Sequence, residues 1–314
     1  MYICPAPRYL FLKASILMHN AYSLPDVMSF LRNIRQRKPA VIPVPEAVPP
    51  KQPKLGIAFG GGGFKGGAHV GVLKVLDEYG IKADMVAGTS IGAAVAALYA
   101  GGYSWQMMET LLRQFDLDSL MKVRPSRKGL IPADKYTELI HTCVGGKRIE
   151  EMNIPLKIVA VDLISWKKIV FDKGETAMAV RASSAIPGVF TPVKMGNMLL
   201  ADGYLLDSCP AGVVRDMGAD IVIAISLFAP NHSEPQNMVE IINRSIDIAT
   251  AAVRNIDADW QLNPIPHYLD ALNAKIIPQS IQLGEHAARE HIGELLPLLH
   301  KKGISYITKS GGAR

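Results

Sequence analysis

The sequence is poor in cysteine. Its 314 residues include only Cys4, Cys143 and Cys209, an odd number at irregular spacing. Disulfide frameworks and zinc motifs need paired or regularly spaced ligands, so we predict neither a disulfide nor a metal site. Because disulfides belong to oxidising compartments, this usage favours a cytoplasmic location, with Cys143 and Cys209 as thiols of the core.

Long apolar runs are also missing. A helix that crosses a bilayer needs roughly 18–20 apolar residues. The best N-terminal candidate, residues 9–18, is shorter and is interrupted by Lys13. It also lacks the small-residue cleavage site of a secretory signal peptide. We therefore predict no membrane span, and expect any membrane contact to be peripheral.

Net charge is absent from most of the chain. The formal net charge of +6 lies entirely in residues 1–54, which hold eight lysines and arginines against two acidic residues. Such a basic segment can bind anionic lipid or nucleic acid, or it can be a solvated extension. We expect it to contact an anionic membrane and expect no binding of nucleic acid.

Composition predicts a folded domain with an appended tail. Apolar residues make up 49% of the sequence and charged residues 20%, which allows a sizeable core. Residues 39–53 contain repeated prolines, which forbid a regular helix and favour extended backbone. We expect a basic tail and proline-rich linker over residues 1–53, a core over 54–228, and a helical extension of the same domain over 229–314.

Strands and helices alternate along the predicted core. Short apolar runs predict strands at 55–59, 83–88, 155–161, 167–171, 198–201 and 220–227. Helical periodicity predicts helices at 68–80, 91–102, 105–115, 133–143, 175–184, 238–260 and 285–300. This alternation predicts an α/β fold with a mostly parallel sheet and helices on both faces.

A glycine-rich loop follows the first strand and opens a helix. Three functions are candidates for residues 60–67 (GGGGFKGG). A Walker P-loop is excluded because no Gly-Lys-Ser/Thr ends the motif. A dinucleotide site needs an acid at the end of the second strand, whereas Asp84 stands at its start. An oxyanion hole, in which backbone N–H groups bind a developing anion, is the third possibility.

A second motif favours the oxyanion hole. Gly88-Thr89-Ser90-Ile91-Gly92 lies between a strand and an alanine-rich helix, as in the G-x-S-x-G elbow that carries a nucleophilic serine. The flanking glycines leave room where a Cβ would clash, and the helix N-terminus favours negative charge on the reacting oxygens. We therefore predict that Ser90 is a nucleophile.

A nucleophilic serine needs a base, and no histidine is well placed to be one. The histidines beyond residue 230 lack a loop context after a strand, and His69 on the first helix is more typical of a structural histidine. Asp202-Gly203 instead follows an apolar strand, at the kind of strand end that lines binding crevices. From position alone, Asp202 is equally suited to be a base or a turn cap.

In this order, these motifs resemble the patatin-like phospholipase family. Residues 181–190 (RASSAIPGVF) and 218–222 (GADIV) resemble further family segments, so the resemblance covers roughly residues 54–228. It implies a three-layer α/β/α fold of the compact bacterial branch. It maps nucleophile and base onto Ser90 and Asp202, the oxyanion hole onto Gly61, Gly62 and Gly63, and supporting positions onto Lys65, Gly66, Gly88, Gly92 and Gly203. Tyr204 departs from the usual family pattern, which has Gly or Ala there.

The resemblance also implies an activity. A member of this family cleaves fatty-acyl esters of lipids at a membrane surface, through an acyl-enzyme and without a metal or organic cofactor. Three alternatives stay open. They are an acyltransferase that uses the same serine, a nicotinamide-dependent oxidoreductase, which Asp84 disfavours, and a non-enzymatic regulatory protein at membranes.

Overall fold

The computed structural model describes residues 52–114, 130–131 and 134–307. Almost all of the predicted tail and linker, residues 1–53, lies outside these ranges. So does most of the segment between residues 114 and 134.

A mixed sheet forms the centre of the described region. Its strands are β1 (Leu55–Phe59), β2 (Met85–Thr89), β3 (Leu156–Asp162), β4 (Lys167–Phe171), β5 (Val193–Met195), β6 (Met198–Asp202), β7 (Ile221–Ile225) and β8 (Trp260–Leu262). Hydrogen bonds connect the strands along the path β5-β6-β3-β2-β1-β7-β8, in which β6 and β2 pair with successive parts of β3, and β4 also pairs with β3. The five strands β3, β2, β1, β7 and β8 are parallel to one another. The other three, β4, β5 and β6, pair antiparallel.

Helices cover both faces of the sheet. They are α1 (Gly67–Glu78), α2 (Ile91–Ala100), α3 (Trp105–Gln114), α4 (Asp134–Cys143), α5 (Thr176–Ser183), α6 (Ala211–Asp216), α7 (Met238–Val253) and α8 (Ile277–Lys302). Alternate β1 residues (Leu55, Ile57, Phe59) belong to the core under α1, α2 and α8. Ala58 faces the opposite side, where it packs with α6. This arrangement confirms the predicted α/β fold with helices on both faces.

The edge of β3 is shared by two strands, and this brings distant residues together. β4 pairs with residues 158–162 of β3 along one edge. β2 pairs with residues 156–159 and β6 with 160–162, so both must lie along the other edge. β2 ends opposite Val159, and Asp202 of β6 lies opposite Ala160. The ends of β2 and β6 therefore meet.

Two predicted helix boundaries were wrong. The helix expected over 238–260 ends at Val253, because Asp259 exchanges hydrogen bonds with Val222 and starts a strand instead. The helix expected over 285–300 begins at Ile277, where Pro278 in the first turn is a start signal that the prediction missed. The three-residue strands β5 and β8 were also missed, because so short a segment shows no periodicity.

None of the helices within the described ranges is long and apolar enough to cross a membrane.

Candidate active site

Ser90 stands at a sharp turn between β2 and α2. Its backbone has φ 57° and ψ −126°, a conformation that costs a non-glycine residue about 1–3 kcal/mol. The turn is tightly enclosed, since a Cβ on Gly88 would lie 2.2 Å from the Gly92 carbonyl oxygen and one on Gly92 would lie 2.1 Å from that of Phe59. This geometry is that of a nucleophile elbow.

Asp202 reaches Ser90 across the junction of β2 and β6. The Ser90 Oγ donates a hydrogen bond of 2.6 Å to Asp202 Oδ2, and the Tyr204 backbone N–H donates one of 2.9 Å to Asp202 Oδ1. One carboxylate oxygen therefore contacts the candidate nucleophile while the other caps the turn. A Cβ on Gly203 would lie 2.3 Å from the Val159 carbonyl oxygen, so this close fit needs glycine.

The environment of Asp202 makes its carboxyl group more basic. Asp202 is only 2% exposed, and burial raises its pKa from 3.8 to about 7, although the hydrogen bonds from Ser90 and Tyr204 oppose this shift. Desolvation dominates because it penalises the charged carboxylate. A base with a pKa near neutrality suits proton transfer at physiological pH.

The histidines do not compete with Asp202 for this role. None of those in the described part of the chain hydrogen-bonds Ser90. His69 is fully buried, and its Nε2–H donates a 2.8 Å bond to the Gly60 carbonyl. Burial lowers the pKa of His69 to about 4, so it is neutral at physiological pH. His69 is therefore a structural residue beneath the glycine loop.

The glycine loop lies against the elbow, but its three predicted donors differ. The Gly61 N–H donates a 2.9 Å bond to the Ser208 carbonyl, so this group is already engaged. The N–H groups of Gly62 and Gly63 have no hydrogen-bond partner among the described residues, and both glycines line a cavity that also contains Ser90. Gly62 and Gly63 are thus the available donors, whereas Gly61 allows close packing against Ser90.

Two other motif residues hold the loop in place. Lys65 is buried, and its Nζ donates a 2.8 Å bond to the Leu227 carbonyl. Burial lowers the pKa of Lys65, although the charge of Asp247 opposes this effect. Gly66 lies against the elbow, since a Cβ there would be 2.4 Å from Ile91 Cγ1.

Ser183, at the end of α5, is a contact that the sequence analysis missed. Its Oγ accepts a 2.8 Å bond from the Ser90 backbone N–H and donates a 2.5 Å bond to the Val159 carbonyl. This fully buried hydroxyl ties the elbow to β3. Ser183 lies within residues 181–190 (RASSAIPGVF). The resemblance of that segment to the family was a signal that could have identified Ser183 as a site residue.

Two cavities meet at Ser90. One, of about 130 Å³, has an almost entirely apolar lining from α2, α3 and α4. Its side chains include Val95, Leu98, Met108, Leu112 and Ile140. Tyr136 also lines it, with its hydroxyl 3.2 Å from the Ser184 Oγ. An apolar lining of this kind suits an alkyl chain better than a polar group.

The second cavity, of about 140 Å³, lies under α7 and has a mixed lining with many charged and polar groups, and we call it the polar cavity. Its charged lining includes Lys65, Glu240, Arg244, Asp247 and Asp270. The phenol of Tyr204 interacts with the Asp247 carboxylate, and burial raises the pKa values of both groups. Tyr204, the departure from the family pattern, therefore forms part of the wall of this cavity. The sequence analysis assigned no role to the α7 residues.

A mostly parallel α/β sheet with a serine elbow, a carboxylate partner and an adjacent glycine loop is characteristic of serine hydrolases. A family model described as patatin-like phospholipase matches residues 57–215, about half of the chain. The chain belongs to the patatin-like phospholipase family.

Relatives occur in bacteria and in animals. An uncharacterised NTE family protein of Mycobacterium tuberculosis is 34% identical over 213 residues, which cover 66% of this chain and 59% of the relative. Patatin-like phospholipase domain-containing protein 6 of Homo sapiens is 31% identical over 189 residues, which cover 57% of this chain and 14% of that protein. The chain therefore spans less than two thirds of the length of these relatives, and only a small part of the human protein.

One solved structure supports the fold. VipD from Legionella pneumophila aligns with a TM-score of 0.54 at 13% identity, covering 78% of this chain and 67% of that chain. At this identity the similarity concerns the fold alone.

Proposed function

We propose that this protein hydrolyses fatty-acyl esters of lipids, with Ser90 as nucleophile and Asp202 as the only general base. The observation that carries the proposal is the 2.6 Å hydrogen bond from Ser90 Oγ to Asp202 Oδ2, made where an apolar and a polar cavity meet. The acyl chain would occupy the apolar cavity and the alcohol part of the ester the polar one.

Acylation begins with the transfer of the Ser90 proton to Asp202. The Ser90 Oγ then attacks the ester carbonyl carbon and forms a tetrahedral intermediate with a negatively charged oxygen. The free N–H groups of Gly62 and Gly63 can donate to this oxygen, and removal of one such donor costs about 3–4 kcal/mol in comparable enzymes. Protonated Asp202 gives its proton to the leaving alcohol, which departs and leaves an acyl-enzyme.

Deacylation repeats these steps with water. Asp202 takes a proton from a water molecule, which attacks the acyl-enzyme carbonyl, and the same proton returns to Ser90 Oγ as the fatty acid leaves. The pKa of Asp202, about 7, allows the group both to accept and to release a proton at neutral pH.

Labelling with a fluorophosphonate tests the nucleophile. Ser90→Ala should abolish both labelling and hydrolysis of lipid esters, because the attacking oxygen is removed. Ser280→Ala is a matched control, since Ser280 is also fully buried but lies in α8 with its hydroxyl bonded to the Ile276 carbonyl. Labelling that persists in Ser90→Ala, or that maps to another serine, would contradict the proposal.

A further inference from the structure

The turn between β3 and β4 exposes a cluster of large apolar side chains. In the segment Leu163-Ile164-Ser165-Trp166, Leu163 is 40% exposed, Ile164 59% and Trp166 84%. We call this segment the 163–166 turn. Three large apolar side chains within four residues form a patch of the kind that marks an interaction site, whereas single exposed apolar residues need no explanation.

This turn is held in one conformation. The Asp162 carboxylate accepts hydrogen bonds from the backbone N–H groups of Ile164 and Ser165 and from the Ser165 hydroxyl, at 3.2, 3.2 and 2.6 Å. The Trp166 N–H donates a 2.8 Å bond to the Asp162 carbonyl. Trp166 has φ 61°, a region that a bulky residue rarely adopts. The fold thus presents the indole to solvent at a cost in backbone strain.

The 163–166 turn lies at the same edge of the sheet as Ser90. β2 and β3 are parallel, with Thr89 opposite Val159, so both chains leave the sheet at its carboxyl edge. β3 continues to Asp162 before the turn begins. The turn therefore projects beyond the elbow at the carboxyl edge of the sheet. Ser90 opens to the polar cavity under α7 at this same edge.

The charged groups next to the turn are mostly basic. Lys167 and Lys168 follow it directly, and both are exposed. Lys194 is exposed on β5, opposite Leu199, whose carbonyl accepts a bond from the Leu163 N–H. Asp207 neutralises Lys168 through a 2.9 Å ion pair, and Asp162 is occupied within the turn. Lys167 and Lys194 leave a positive rim around an apolar tip.

We propose that the 163–166 turn docks the protein on a bilayer that contains anionic lipids, with Trp166 and Ile164 inserted at the interface. Tryptophan is enriched at the boundary between water and hydrocarbon, and lysines beside it are attracted to anionic headgroups. The role of this contact in substrate supply rests on the proposed function. The contact itself does not, because it needs only the patch and its basic rim.

Trp166 provides its own reporter. The chain has three tryptophans, of which Trp260 is buried and Trp105 is half-buried. The difference in emission between the full-length chain and its Trp166→Phe variant therefore isolates Trp166. Both proteins should carry Ser90→Ala, so that vesicles of phosphatidylcholine with and without phosphatidylglycerol stay intact during the measurement.

Docking predicts that Trp166 emission shifts to the blue with phosphatidylglycerol vesicles and is quenched by lipids brominated in the acyl chain. Trp166→Ala should lower the partition coefficient about tenfold, as expected when a large apolar side chain is withdrawn from an interface. Lys167→Gln and Lys194→Gln should each lower it about fivefold. Ile307→Ser should have no effect, because Ile307 is 49% exposed but packs on Gly80 at the end of α1, toward the opposite edge of the sheet.

Vesicle binding without any change in Trp166 emission would overturn the proposal and assign binding to another segment. A loss of self-association in Trp166→Ala, with unchanged vesicle binding, would also overturn it and make the patch a contact between two copies. With Ser90 intact, Trp166→Ala should slow hydrolysis of vesicle lipid but not of a short soluble ester. If the protein proves inactive on both substrates, the proposed function fails while the emission result still decides docking.

Discussion

Asp202 performs two tasks with one carboxylate. One oxygen accepts a hydrogen bond from the Ser90 hydroxyl. The other caps its own turn by accepting a hydrogen bond from the Tyr204 backbone N–H. The capping bond holds the side chain in one orientation, so that the second oxygen stays at 2.6 Å from the nucleophile. The sequence analysis treated base and turn cap as alternatives, whereas the geometry accommodates both.

Removing the basicity of Asp202 should stop turnover. Asp202→Asn keeps the shape of the side chain but cannot take the Ser90 proton, so kcat should fall by about 10²–10⁴, the usual contribution of a general base. His232→Gln and His267→Gln are controls that should leave kcat near the wild-type value. A histidine variant without activity, beside an active Asp202→Asn, would mean that the base had been assigned wrongly.

The pH dependence of the reaction should reflect the same group. Asp202 must be deprotonated to act as a base, and its pKa is about 7. On a soluble ester, kcat/KM should therefore rise with pH through about 7 and level off above it, since this parameter reports ionisation in the free enzyme. A profile that levels off near pH 4 would show that burial does not raise the pKa of the acting base.

Stability should change with pH in the opposite direction. The folded chain binds the Asp202 proton more tightly than the unfolded chain, because the pKa is raised from 3.8 to about 7. Stability from this group is full below pH 3.8 and is lost as pH rises toward 7. Asp202→Asn removes this loss. Its free energy of unfolding relative to wild type should therefore increase by about 2–3 kcal/mol between pH 5 and pH 8, at about 1.4 kcal/mol per pKa unit.

Denaturant unfolding at several pH values measures this difference. Asp172→Asn is the control, because Asp172 is exposed and its replacement should give a nearly constant difference. A flat result for Asp202→Asn would indicate that the carboxylate is solvated in the folded chain.

At the scale of elements, short strands and close helix contacts decide where the site forms. β6 has five residues and occupies the edge of β3 just beyond the end of β2. A short apolar run predicted β6 as a strand but not its partner. Three-residue β5 and β8 carry no pattern at all, so their existence depends on the pairing that the folded sheet offers them.

The packing of α1 against α8 depends on glycine. A Cβ on Gly284 would lie 2.0 Å from the Ala68 carbonyl oxygen, a backbone atom that cannot move aside. Gly284→Ala should therefore force the helices apart and destabilise the protein by roughly 1–3 kcal/mol or more, the cost of overpacking. α1 directly follows the glycine loop, so a loss of activity should accompany the loss of stability.

Gly293→Ala in the same helix is the matched control for that experiment. A Cβ at Gly293 meets nothing within 4 Å among the described residues. Because alanine is the better helix former, this variant should gain up to about 1 kcal/mol. Equal melting temperatures for the two variants would argue against a close contact between α1 and α8.

At the scale of the whole molecule, charge and cavities are distributed unevenly. The apolar cavity lies among α2, α3 and α4, whereas the polar cavity lies under α7, and the two meet at Ser90. The net charge of +6 lies in residues 1–54, almost all of them outside the described residues. Membrane contact through this basic tail stays a prediction, separate from docking by the 163–166 turn.

Deleting residues 1–50 tests the tail. The truncated chain should bind phosphatidylglycerol vesicles more weakly at low salt, because it has lost six of the eight basic residues of the 1–54 segment. Its hydrolysis of a short soluble ester should be nearly unchanged, since the described site is built from residues beyond 59. Sedimentation with vesicles and an ester assay check the two parts. Equal vesicle binding would contradict a membrane role for the tail.

The sequence by itself determined the features that depend on neighbours along the chain. The elbow around Ser90 needs only a strand, two glycines and a helix in succession, and the apolar runs of β1 and β7 specify strands buried on both faces. Only the tertiary structure decided which distant groups meet. Ser183 and Asp202 lie 93 and 112 residues from Ser90, and the Gly61 N–H donates a hydrogen bond to the distant Ser208 carbonyl. The raised pKa of Asp202 arises from burial, which depends on the packing of the whole domain and not on local sequence.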